Sequence, residues 1–119
     1  MIEFEKVLGA FSMLAELDED EARDNSAIVE LAIAEVTAML SEGANTFENH
    51  DRICHAAAAL SYYKFALITA SRESGFSVGD VSFSAPSVAS VAQAKALRDD
   101  ALGAISDIID SRTFAFVGV

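Results

Sequence analysis

Between Ile53 and Ala70 the chain reads ICHAAAALSYYKFALITA, and this stretch constrains the fold more than any other. Wound as an α-helix at about 100° per residue, it spreads apolar and small side chains around almost the whole circumference, with Lys64 the sole full charge. A helix that is apolar on every side has to be enclosed, so the other elements read as what encloses it. A membrane span is the competing use of such a length. A midspan Lys64, His55, the Tyr62/Tyr63 pair and the alanine run all argue against it.

The rest of the chain supplies partners for this hub. Phe4, Val7, Leu8, Phe11 and Leu14 recur at helical spacing, with acids near the start that favour the helix dipole. Asp18 to Asp24, DEDEARD, reads as a solvated connector; it has no Gly where an EF-hand loop turns and no Glu at its end. Asn25 or Ser26 can cap a second helix, on which Ile28, Leu31, Ala32, Val36, Met39 and Leu40 form one face until Gly43 ends it. After Pro86, Val91, Ala94, Leu97, Ala101, Leu102, Ile105, Ile108 and Ile109 form the buried stripe of a last helix. Gly103 within it suggests a close helix approach. With 119 residues there is room for one domain, 1–119. The expected fold is mainly α, a small bundle of about four helices (near 3–17, 26–42, 48–73 and 87–110) around a central long one, with one β-hairpin at 76–84 before the last helix.

The hairpin rests on FSVGDVSF. If Gly79-Asp80 form a two-residue turn with Gly at its first central position, Val78 faces Val81 and Phe76 faces Phe83, all four on one side, with Ser77 and Ser82 on the other. A one-residue slip would scramble that sorting. Two strands alone are barely stable in water, so the apolar face must rest on a helix or on another subunit. Beyond Arg112 the tail TFAFVGV carries no charged side chain, so Phe114, Phe116, Val117 and Val119 either fold back over the core or dock as a strand on a partner.

Charge and residue types exclude several functions. The net charge of -11, from 19 acidic and 8 basic residues, opposes tight binding to a phosphate backbone. Apolar residues make up 52% of the chain, which leaves hydrophobic surface to spare for an interface. Cys54 is the sole cysteine, so no internal disulfide forms. MIEFEKVLGAF starts acidic and does not read as a signal peptide. His50 and Cys54 share a helix face, but His55 points about 100° away from Cys54, and two ligands do not hold zinc. A Cys-His catalytic pair fails on the same divergence, and Glu48 and Asp51 do not complete a site. With neither a phosphate cradle nor a nucleophile elbow, the expectation is no enzyme, no metal and no cofactor.

The order of elements, together with AAAALSYYKFAL in the hub, GFSVGDVSFS in the hairpin and AKALRDDALGAISDII followed by FAFVGV, resembles the head-tail connector (adaptor) proteins of bacteriophages and prophages. The resemblance covers roughly residues 26 to 119; the acidic N-terminal segment has no counterpart in it. It implies a virion protein at the head-tail neck, present in the host cytoplasm during assembly. Such a subunit forms a homo-oligomeric ring below the portal protein, beside tail-side connector proteins and away from any membrane. DNA passes through the ring without sequence-specific binding. On this reading Phe76, Val78, Gly79, Asp80, Val81 and Phe83 contribute to subunit contacts, and Phe114, Phe116, Val117 and Val119 dock on a neighbour. An acidic wall suits sliding DNA, because like charge repels phosphates. The alternative is a small acidic helical interaction or regulatory protein of phage origin.

Overall fold

A computed structural model describes residues 2–75 and 84–109. Within them the chain is mainly helical: α1 (Phe4–Ala15), α2 (Glu19–Asp24), α3 (Ser26–Met39), α4 (His50–Gly75) and α5 (Ser84–Ala104). The hairpin residues 76–83, including the Gly79-Asp80 turn, lie outside the described residues, as does the tail from 110 to 119. Ser84, expected as the last hairpin residue, is instead the first residue of α5.

The hub sequence forms α4, and α1, α3 and α5 all pack on it. Ala56, Ala57, Ala58 and Ala59 are completely buried, as is Ser61. Small side chains on every side let several helices approach one axis closely, since interaxial distance is set by the residues at the contact. Larger residues fill the spaces between: Phe11 of α1 meets Phe65 of α4 edge to face, with ring centroids 5.6 Å apart and planes at 79°. Ser61 satisfies its own hydroxyl by donating to the Ala57 carbonyl at 2.8 Å. Enclosure ends along the second half of α4, where Leu67 and Ile68 are exposed.

Two elements depart from the sequence expectation. The connector Asp18–Asp24 contains helix α2, because Asp18 and Glu21 form a reciprocal cap: the Glu21 N–H donates to Asp18 Oδ1 at 2.8 Å and the Asp18 N–H donates to Glu21 Oε1 at 3.0 Å. Ala22 is buried, which fixes one side of this short helix to the core. On α3 the buried face is Val29, Ala32 and Val36, while Leu31 is 58% exposed. The run IVELAIAEV carries two overlapping apolar stripes, and packing against both α1 and α4 selects one of them.

The end of the bundle where α4 begins is tied together by polar contacts. α3 stops at Met39, and Leu40 is extended and paired antiparallel with Ile109. The Ser41 N–H donates to the Ile108 carbonyl at 2.8 Å. Gly43 takes a left-handed φ of 84° inside the following loop, later than the helix end where it was expected. α5 ends at Ala104 rather than near 110, and the buried Ile105, Ile108 and Ile109 continue its apolar stripe through a turn. Arg52 of α4 donates to the carbonyl of Ala104 and meets both carboxylate oxygens of Asp107, at 3.2 and 3.3 Å. It thereby satisfies an end carbonyl of α5 and holds the turn beside the start of α4. Gly103 does not mark a close approach, since a Cβ there would meet nothing within 4 Å.

Candidate binding cavity

At this tied end lies a cavity of about 310 Å³ between the start of α1, the last turns of α3, the loop after it and the first turn of α4. Ile2, Ile33, Leu40 and Ile53 form apolar walls, and Thr37, Thr46 and His50 supply the polar groups. Thr37 is already committed, its hydroxyl donating to the Ile33 carbonyl at 2.7 Å. His50 is not: its Nε2 is buried and has no hydrogen-bond partner among the described residues. Glu3 Oε1 lies 3.8 Å from that nitrogen, beyond hydrogen-bond reach.

The side chains considered as metal ligands go to different surroundings. Cys54 is buried in the core, His55 is exposed, and Asp51 is paired with Lys6 of α1. Among the described residues no three His, Cys, Asp or Glu side chains come together as a cation site. The Lys6 ammonium holds the Asp51 carboxyl below its ordinary value, and Arg52 does the same to Asp107. On α1 the Glu5 carboxyl is lowered by the guanidinium of Arg23, which is 2.8 Å away and also reaches Glu19 of α2. Lys64, the charge within the hub, pairs with Glu35 of α3. Arg98 of α5 stacks over the Tyr63 ring, 4.4 Å from its centroid, and holds the Asp99 carboxyl low. Every one of these is a helix-to-helix tie or a neighbouring pair. None of them is an arrangement of nucleophile and base.

The surface also carries uncovered apolar side chains. Phe47, in the loop between α3 and α4, is 91% exposed, and Met13 is 81% exposed. Phe47 was not singled out from the sequence, although a lone phenylalanine in the polar run GANTFENH has no helical stripe to join. Neither was the cavity, whose walls come from three separated segments. The hairpin residues Phe76, Val78, Gly79, Asp80, Val81 and Phe83, and the tail residues Phe114, Phe116, Val117 and Val119, lie outside the described residues. Among the described residues no helix is long and apolar enough to cross a membrane. Comparison with protein-family models, with curated proteins and with solved structures found no match in any of the three.

Proposed function

We propose that the chain is a structural virion subunit, a head-tail connector that assembles into a ring below the portal and lets DNA pass without sequence-specific binding. The observation that carries the association is Phe47, a large apolar side chain 91% exposed on the bundle's surface, to which Leu31 and Met13 add further uncovered area. Covering such side chains with a partner takes apolar area out of water, which favours association. The resemblance carried by residues 26 to 119 supplies the kind of assembly, and the net charge of -11 agrees with a wall that repels phosphate. In this reading the segment from Phe76 to Phe83 contributes subunit contacts and the tail docks on a neighbouring virion protein.

Light scattering on the purified chain over a concentration series, alone and with a portal protein, tests the proposal. The expected result is concentration-dependent association that the partner drives to a closed ring. A chain that stays monomeric under every condition, including with the portal present, overturns it.

A further inference from the structure

We propose that the cavity between α1, α3 and the start of α4 receives Phe47 of a second copy of this chain. Each copy then presents both halves of the contact, an aromatic ring standing out of the loop before α4 and a hollow with apolar walls beside that loop. The inference rests on the self-association part of the reading above and adds which surfaces meet.

Hydrogen bonds hold the turn that carries the ring. Phe47 is 91% exposed, and the backbone on either side of it is organised by Asn45. The Glu48 N–H donates to Asn45 Oδ1 at 2.9 Å, and the Asn49 N–H and Nδ2 donate to the Asn45 carbonyl at 3.3 and 2.8 Å. From the first turn of α4, Arg52 donates to Asn49 Oδ1 and so fixes the far side of the turn. A turn tied in this way has little freedom left to lose on docking, which removes one of the costs of association. Thr46, the residue before Phe47, lines the cavity of its own copy, yet the neighbouring ring stays in water.

The cavity fits that ring in size and in polarity. An apolar cavity of roughly 150 Å³ holds one benzene, so the 310 Å³ here takes a phenyl ring and leaves room for the tip of the turn that carries it. Ile2, Ile33, Leu40 and Ile53 offer it apolar contact. The polar lining asks for no polar ligand, because the Thr37 hydroxyl already donates to the Ile33 carbonyl and His50 Nε2 is itself buried. Ile2 and Ile33 also continue into an adjoining hollow with Phe4 and Ala34, so apolar surface extends beyond the ring. Acidic groups lie on both sides of the contact, Glu3 and Glu30 around the cavity and Glu48 beside the ring. Like charge opposes the encounter and salt screens it, so this association strengthens as salt rises, the opposite of a contact held by ion pairs.

The chain has no tryptophan, so Phe47→Trp in the full chain places a single fluorescent reporter at the contact. Its emission is expected to move to shorter wavelength as protein concentration rises, and further at high salt. Emission that ignores concentration overturns the proposal. By sedimentation equilibrium, Phe47→Ala is expected to weaken self-association at least about tenfold, and association equal to that of the native chain overturns it. Thr37→Phe fills the cavity from its exposed rim and is expected to weaken association in the same way. Mixing these last two variants restores association, because one supplies the ring and the other the open cavity; a mixture as dissociated as its components overturns the proposal. The outcomes separate from those of the connector reading. Association that survives Phe47→Ala and still closes into a ring with the portal sinks this contact alone, whereas Phe47-dependent association that stops at two copies with the portal present sinks the ring alone.

Discussion

Glu16 follows the last turn of α1 with φ 56° and ψ 44°, a left-handed conformation that suits glycine and strains other residues. Two backbone bonds hold it there: the Glu16 N–H donates to the Met13 carbonyl at 3.3 Å and the Leu17 N–H to the Ser12 carbonyl at 2.9 Å. The Ser12 hydroxyl closes the turn by donating to the Leu17 carbonyl at 2.7 Å. A left-handed non-glycine residue costs about 1–2 kcal/mol, while glycine adds roughly 0.5–1 kcal/mol of unfolded-chain entropy. Glu16→Gly is therefore expected to stabilise the chain by up to about 1 kcal/mol, read as a higher urea midpoint at unchanged slope. At the centre of the bundle the balance is steric. Phe11 is fully buried against Phe65, and Phe11→Ala is expected to cost about 3–5 kcal/mol, close to the whole stability of a small domain. Circular dichroism through thermal unfolding checks that loss.

Helix α2 has six residues, too few to persist without help. Its help is the Asp18–Glu21 cap and the ties from Arg23 to Glu5 and Glu19. Asp18→Ala removes the acceptor for the Glu21 N–H and is expected to cost about 1 kcal/mol, with amide exchange in residues 19–24 accelerating well before the rest of the chain. On α1 and α5 the substitution runs the other way. Gly9 and Gly103 are helical, and a Cβ at either would meet nothing within 4 Å. Gly9→Ala and Gly103→Ala are each expected to add up to about 1 kcal/mol of helix propensity, and the double variant the sum of the two, as denaturant titration reads it.

Ion pairs connect elements across the whole molecule: α1 to α4 through Lys6–Asp51, α1 to α2 through Glu5–Arg23, α4 to the turn after α5 through Arg52–Asp107. Asp99 adds a pair within α5, with Arg98. The carboxyls of Glu5, Asp51, Asp99 and Asp107 are all held below their ordinary values, chiefly by hydrogen bonds from these partners. A depressed carboxyl makes the unfolded chain the better proton acceptor, so its contribution is present above the ordinary value and is lost as pH falls through the folded one. The ordinary values are 4.5 for Glu5 and 3.8 for the three aspartates. The thermal midpoint is thus expected to stay nearly level from neutral pH to about pH 5 and to drop below it. Lys6→Gln should start lower and show a shallower acid drop, because Asp51 then loses the ammonium that lowers it. Parallel melts of both proteins across that range measure the difference.

Much of the architecture was legible because it is local or periodic. The run from Ile53 to Ala70 became the central helix of the bundle, enclosed from Ala56 to Ala59 and at Ser61 although Leu67 and Ile68 remain exposed; Val7, Leu8 and Phe11 on α1, and Ala94, Ala101 and Leu102 on α5, kept the burial that their spacing implied. The cap of α2 was also written locally, in Asp18 and Glu21, but charge density in DEDEARD drew the reading toward a connector. Other features were decided only by packing between distant segments. Which stripe of α3 faces inward depends on α1 and α4 together, since Val29 and Leu31 are equally apolar in isolation. The cavity exists because Ile2, Ile33, Leu40 and Ile53 come from three segments, and its His50 Nε2, which has no hydrogen-bond partner among the described residues, is invisible until they meet. Periodicity encodes what one element wants to bury, whereas a void or an orphaned nitrogen belongs to the space between elements, which no single stretch of sequence contains.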